Sequence, residues 1–196
     1  MQLTQLLIPT YTQMLGALAT WLDKVTAQRP AAEADALLAA RLAPDMFPLA
    51  TQVRFACVQA YEGVYRPTGE AFPNALTDLL NEGRAAVTHP GTMADARGRI
   101  DATLAFLAAQ ESTVLDAAEA KDVELALPIG LTFDLTGTQY ARDWALPQFY
   151  FHVMTAYAIL RHHGVALGKA DYVAHMFGYL RQAPGDGGPQ VAATPA

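Results

Sequence analysis

Cysteine is almost absent from this sequence: Cys57 is the only one among 196 residues. A single cysteine excludes an internal disulfide framework and any zinc site built on several thiolates. Charged residues make up only 16% of the chain, and acidic residues outnumber basic ones by 19 to 13. The resulting net charge of −6 argues against nucleic-acid binding through a general basic surface. Ser112 is the only serine and lacks a nucleophile-elbow pattern, which argues against a serine hydrolase.

Long apolar runs are missing as well. No stretch reaches the roughly 18 consecutive apolar residues that a membrane-spanning helix requires. The first 22 residues carry no charge, but they contain several Gln and Thr residues, and the first basic residue is Lys24. A signal peptide has a basic segment before its apolar segment, and no basic residue precedes the apolar residues here, so the sequence does not match a signal peptide. We therefore expect a soluble, cytoplasmic protein that binds neither membranes nor nucleic acid.

The residues that are abundant favour helices. The chain has 38 Ala and 24 Leu against 11 Val and 4 Ile, and it is 52% hydrophobic. Ala and Leu are strong helix formers, whereas Val and Ile favour strands. The composition predicts a mostly α protein with one domain over residues 1–181. Residues 182–196 are rich in Pro, Gly and Ala without periodicity, which predicts a flexible C-terminal tail.

Apolar stripes and capping residues predict four long helices. They cover residues 9–28, 44–64, 92–109 and 136–163. Pro9 and Pro44–Asp45 are typical of helix starts, and Asp45 is a suitable cap. Thr92 and Thr136 each precede a capping-box partner, Asp95 and Gln139.

Other segments are predicted to be shorter elements. Residues 31–42, 75–87 and 170–181 have the pattern of short helices, and residues 123–135 alternate as a two-stranded hairpin with a turn at 127–130. Pro147 lies inside the fourth long helix, where it predicts a kink or a broken turn. Cys57 falls in the apolar stripe of the second long helix, which favours a small buried hydrophobe over a reactive thiol.

Three of the five histidines, His152, His162 and His163, lie on the fourth predicted helix. None forms the i, i+4 pair typical of helical zinc ligands. His152 and His163 share a face but are about 16 Å apart at ~1.5 Å per residue, too far for one ion. His162 and His163 suit the helix C-terminus, where a protonated imidazole complements the helix dipole.

His152 lies at the edge of the buried stripe, and two interpretations of it stay open. The first is a half-buried neutral histidine bonded to a carbonyl, and the second is a ligand-binding or vestigial metal position. The aromatic residues near His152 are typical of core packing. Alternatively, they line an apolar pocket near Pro147. They are Trp144, Phe149, Tyr150, Phe151 and Tyr157.

Two long motifs resemble a bacterial family, domain of unknown function 1993. The first covers residues 41–49 (RLAPDMFPL) with Gln52–Val53, and the second covers residues 145–153 (ALPQFYFHV) with 155–162. Short matches at 164–165, 167–169 and 171–172 complete the pattern. The resemblance implies the DinB-like (YfiT-like) four-helix bundle with a long crossover between its middle helices.

Many DinB-like proteins bind a divalent metal through three histidines, and some are thiol-transferring enzymes. One histidine comes from the second helix and two, spaced HxxxH, come from the fourth. When the sequence is aligned with this pattern by the Gly164–Val165 pair that ends the fourth helix, His152 matches the second histidine of HxxxH and Gln148 replaces the first. Gln52 falls near the position of the second-helix histidine. Two amides and one imidazole are a poor donor set for zinc or nickel.

The sequence therefore predicts a DinB-like bundle with a small hairpin before its last long helix. We expect no bound metal and no cofactor. The predicted function is binding of a small molecule in the bundle cleft. The candidate ligand-binding residues are His152, Gln148, Gln52, Asp45 and Tyr150. A metal-dependent transferase or hydrolase and a structural homodimer stay open as alternatives, and whether the protein is an enzyme is undecided at this point.

Overall fold

Four long helices dominate the structure, a computed structural model that describes residues 2–181. They are α1 (Leu3–Gln28), α3 (Leu49–Thr68), α5 (Met93–Ala108) and α7 (Leu146–His162). Four shorter helices are α2 (Ala31–Ala36), α4 (Asn74–Ala85), α6 (Gly137–Tyr140) and α8 (Lys169–Tyr172). Strands β1 (Asp122–Ala126) and β2 (Thr132–Thr136) pair as an antiparallel hairpin before α6. The mostly α fold with a hairpin is confirmed, whereas the predicted tail lies outside the described residues.

Helix α3 is the central element, because α1, α4, α5 and α7 all pack against it. Its predicted apolar stripe is buried from Ala50 to Val64. Cys57 is fully buried in this stripe, and burial raises the pKa of its thiol to about 12. The thiol is therefore protonated at neutral pH and unreactive, as the sequence predicted.

The start of α3 was predicted five residues too early, at residue 44. Pro48 disfavours helical geometry at Phe47, so the helix begins only at Leu49. Residues 41–48 instead form a loop with a turn in which Met46 N–H donates to the Ala43 carbonyl at 3.0 Å. Asp45 is exposed in this turn and is not the helix cap, and Met46 is not part of the helical stripe.

Helix α1 starts earlier than predicted and contains Pro9 in its interior. Proline there lacks the N–H for one helical hydrogen bond. Leu3 and Leu7, on the segment before it, are almost completely buried, and Thr4 Oγ1 accepts a hydrogen bond from Leu115 N at 2.9 Å. These contacts hold the first turns in place and offset the missing bond.

Both predicted capping boxes are present. Thr92 with Asp95 caps α5, and Thr136 with Gln139 caps α6. The hairpin turn also forms as predicted, with Gly130 N donating to the Leu127 carbonyl at 3.0 Å. Gly130 has φ +84°, a conformation that favours glycine.

Pro147 lies just after a π-helical turn, Ala141–Ala145, that joins α6 to α7. In this turn Leu146 N–H donates to the Ala141 carbonyl, one residue further back than in an α-helix. The predicted broken turn therefore takes the form of a π-bulge placed directly before the proline.

The three predicted short helices are shorter than expected. The first ends in a 3-10 turn, Leu37–Ala39, and the second ends at Ala85. The last one stops at Tyr172 and continues as a 3-10 segment, Ala174–Tyr179. Its predicted apolar stripe is wrong in part, since Met176, Phe177 and Leu180 are exposed. No helix within residues 2–181 has the length and apolar character needed to cross a bilayer.

Gly63 on α3 tests the close packing of α1 against α3. A Cβ added at Gly63 would lie 2.7 Å from ring carbons of Tyr11, which must then move. Ala in place of Gly normally stabilises a helix interior, but here we expect Gly63→Ala to destabilise the fold by about 1–3 kcal/mol through overpacking. Denaturant unfolding measures the change.

Gly16→Ala on α1 is the matched control, because a Cβ there meets nothing within 4 Å. We expect this variant to be more stable than the wild type by about 0.5–1 kcal/mol. Equal stability of the two variants would contradict the packing described here.

Candidate functional site

The most conspicuous polar contact between the long helices joins α3 to α7. His152 on α7 is 7% exposed and Gln52 on α3 is 1% exposed. His152 Nδ1 lies 2.8 Å from Gln52 Oε1, although the two residues are 100 positions apart in the chain. The structure thus brings together two of the residues that the sequence singled out.

The backbone before α3 fixes the orientation of the Gln52 amide. Gln52 Nε2 donates to the Phe47 carbonyl at 3.2 Å. Because a carbonyl can only accept, the amide NH2 must face Phe47 and Oε1 must face the imidazole. Oε1 is itself an acceptor, so His152 Nδ1 carries the proton and Nε2 keeps a free lone pair.

Burial holds His152 in its neutral form. Desolvation lowers the pKa of the imidazole from 6.5 to about 4, since Gln52 is neutral and offers no compensating charge. At neutral pH the side chain is therefore an uncharged hydrogen-bond acceptor at Nε2.

Aromatic rings surround this imidazole. Phe55 and Phe151 pack edge-on against His152 with ring centroids 5.4 Å and 5.5 Å away, and Phe47 packs on Phe55 at 5.5 Å. Phe47 is 46% exposed and Phe151 is 54% exposed. His152 Nε2 has no hydrogen-bond partner within residues 2–181. We call these five residues the His152 face: Phe47, Gln52, Phe55, Phe151 and His152.

The other predicted site residues are not part of this contact. Gln148 lies one turn before His152 on α7 and is half-buried, but it makes no hydrogen bond to Gln52 or His152. Tyr150 packs on Phe149, which contacts Tyr11 of α1, and so it lies on the α1 side of the helix. Asp45 is exposed in the turn before α3 and makes no hydrogen bond to His152. Asp45 and Tyr150 therefore lie outside the Gln52–His152 contact, and their part in ligand binding, like that of Gln148, stays a prediction.

Sequence reasoning missed Phe47 and Phe55. Phe55 lies three residues after Gln52, a spacing that places two side chains on one helix face. That periodicity was a usable signal for Phe55. Phe47 contributes through its carbonyl and its ring, and it can do so because it lies in the loop before α3, not in the helix.

The arrangement of helices and hairpin defines a DinB-like bundle. The structure is similar to the crystal structure of a DinB family member protein from Shewanella denitrificans, whose sequence is 32% identical to this chain. The match covers 95% of this chain and 96% of that one, with a TM-score of 0.69. Residues 3–173 match the model of the family described as Domain of unknown function (DUF1993). The chain belongs to this family, as its motifs predicted, and no curated protein matches it.

The donor set does not fit the three-histidine metal site of DinB-like relatives. Gln52 Oε1 is engaged by His152 Nδ1, which leaves one imidazole lone pair at this position. Within the part of the chain that the structure describes, no group of three or more His, Cys, Asp or Glu side chains is placed to hold an ion. A divalent transition metal needs more imidazole or thiolate ligands than this site offers.

The lowered pKa of His152 predicts a specific pH dependence of stability. The unfolded chain takes up a proton near pH 6.5, whereas the folded chain does so only near pH 4. The unfolded state therefore binds more protons between these values, and the free energy of unfolding falls as the pH is lowered from about 7 to about 4. Each pKa unit corresponds to about 1.4 kcal/mol. The free energy of unfolding therefore falls by on the order of 3 kcal/mol over this pH range.

Denaturant melts across this pH range measure the effect. His152→Phe should remove this part of the pH dependence, whereas His162→Gln, at an exposed position, should retain it. An unchanged slope between pH 4 and 6.5 in His152→Phe would contradict the buried neutral imidazole.

Proposed function

We propose that the protein binds a small molecule at the His152 face. One observation carries the proposal: a neutral imidazole is fixed through Nδ1 by Gln52, while its Nε2 has no hydrogen-bond partner within residues 2–181 and lies beside partly exposed aromatic rings. If His152 served packing alone, the fold would be more stable with both ring nitrogens hydrogen-bonded inside the protein.

The chemistry of the face defines the class of ligand. An uncharged Nε2 accepts a hydrogen bond from an O–H or N–H group and offers no charge to an anion. Phe47, Phe55 and Phe151 supply apolar ring surfaces around it. We therefore propose a small aromatic or otherwise apolar molecule that carries one hydroxyl or N–H donor, such as a phenol.

The exposed rings are the second support for this proposal. Phe47 and Phe151 are each about half exposed, close to a polar group that is itself almost buried. Apolar side chains clustered around one or a few polar groups are typical of ligand-binding sites. Covering these rings with a planar ligand would remove apolar surface from water and stabilise the complex.

The two alternatives have weaker support. Similarity to a DinB family member favours a metal-dependent transferase or hydrolase, but the donor set at His152 argues against that chemistry. A homodimer that covers Phe47 and Phe151 stays a prediction. The cytoplasmic location likewise stays a prediction.

Ligand-observed NMR with phenol and indole at millimolar concentration tests the proposal. We expect saturable binding to the wild type. His152→Phe preserves a ring of similar size but removes the acceptor, so we expect at least a tenfold loss of affinity, equivalent to about 1.4 kcal/mol. Phe151→Ser removes an exposed ring and should also weaken binding.

Tyr179→Ser is the matched control, because Tyr179 is an exposed aromatic residue outside the His152 face. It should leave binding unchanged. The proposal fails if neither compound binds the wild type, or if His152→Phe binds as well as the wild type does. Sedimentation of the same samples would reveal a dimer that covers the face instead.

A further inference from the structure

A second polar cluster lies on a different side of α3, facing α4 and α5. It borders a cavity of about 440 Å³, within the range of small-molecule sites. Arg54 of α3, Glu82 of α4 and Arg99 of α5 line this cavity. None of these residues belongs to the His152 face, so the cluster is independent of the proposed function.

Arg54 is the unusual member of this cluster, because a charged side chain is only 2% exposed. Its Nε donates to Glu82 Oε1 at 2.7 Å and its Nη1 donates to the Ala50 carbonyl at 3.1 Å. Its Nη2 has no hydrogen-bond partner within residues 2–181 and lies beside Gly91, which also lines the cavity. A guanidinium this deeply buried therefore directs one unused donor to the cavity that it lines.

The neighbouring carboxylates are already engaged. Glu82 uses its second oxygen, Oε2, for Arg99 Nε at 2.7 Å. Asp95 Oδ2 accepts from the backbone N and the hydroxyl of Thr92, at 2.9 and 2.8 Å, within the capping box. These bonds, with smaller contributions from Arg54 and Arg99, lower the pKa of Asp95 and keep it ionised. The two acids balance the two guanidinium charges without satisfying Arg54 Nη2.

Further donors converge on the same cavity. The terminal nitrogens of Arg99 have no partner in the part of the chain that the structure describes, and Arg99 is half exposed. Ala94, in the first turn of α5, also lines the cavity, and its backbone N–H has no acceptor within residues 2–181. His89 lies at the rim and pairs through Nδ1 with Thr88 Oγ1 at 2.9 Å. The cavity is thus rich in hydrogen-bond donors while its formal charges cancel.

We propose that this cavity binds a small organic anion, with its carboxylate or phosphate group against Arg54 Nη2 and Arg99. Charge-assisted bonds from arginine suit both groups. The Arg54–Glu82 pair on its own accounts for Nε but not for the unused Nη2 or for the open space beside it. Because the charges around the cavity balance, we expect the anionic group alone to bind only at millimolar concentration.

Two glycines shape the cavity. A Cβ at Gly91 would lie 3.1 Å from Arg54 Nη2, so glycine lets the backbone pass close to the guanidinium. A Cβ at Gly98 would meet nothing within 4 Å, and Gly98 lines the cavity. A larger side chain at Gly98 therefore fills the space without displacing a charged group, and it improves the helix propensity of α5.

Thermal melts in inorganic phosphate and in acetate, each against chloride at constant ionic strength, test the proposal. We expect at least one anion to raise the Tm of the wild type saturably. Gly98→Leu should abolish the saturable increase without lowering the Tm in chloride. Arg99→Gln should shift the midpoint of the titration at least threefold to higher anion concentration.

Gly16→Leu, on α1, is the matched control, because Gly16 is also a helical glycine with open space around it. It should respond to anions as the wild type does. Phosphate also stabilises proteins by exclusion from their surface, an effect that does not saturate and does not depend on the cavity. Equal responses of the wild type and Gly98→Leu to both anions would overturn the proposal.

Discussion

The central constraint on this bundle is that the first two turns of α3 bury polar side chains on several sides at once. Thr51, Gln52 and Arg54 are each at most 2% exposed. Buried polar groups must find partners within the protein, or the fold loses stability. Thr51 Oγ1 therefore donates to the Gly83 carbonyl, Gln52 bonds to His152, and Arg54 bonds to Glu82. Each of these contacts aligns α3 with a neighbouring helix.

The same constraint produces two chemically different surfaces. Towards α7, Gln52 pairs with the imidazole of His152, which burial keeps uncharged. Towards α4 and α5 the partners are ions, and the guanidinium of Arg54 is neutralised by a carboxylate shared with Arg99. In both places one group is left over, an acceptor at His152 Nε2 and a donor at Arg54 Nη2. The two sites that we propose therefore lie on different faces of the same helix.

Much of the fold was readable from local patterns, since the α5 and α6 capping boxes and the turn at Gly130 depend on neighbouring residues only. The errors arose where tertiary packing overrides local preference. Pro9 is tolerated inside α1 because Leu3 and Leu7 are buried, and Pro48 rather than Pro44 sets the start of α3. The Gln52–His152 pair followed from a family register, not from spacing. Arg54 gave no sequence signal, because its partners Glu82 and Arg99 are distant in the chain.

The central claim is that the chain from the Phe47 carbonyl through the Gln52 amide fixes the tautomer of His152. Ring nitrogen-15 chemical shifts of His152 test it most directly. At pH 7 we predict a neutral ring with the proton on Nδ1 and a bare Nε2. In Gln52→Leu, which removes the acceptor, the Nδ1 proton should no longer be favoured. A wild-type ring that is charged at pH 7, or one that carries its proton on Nε2, would contradict the account.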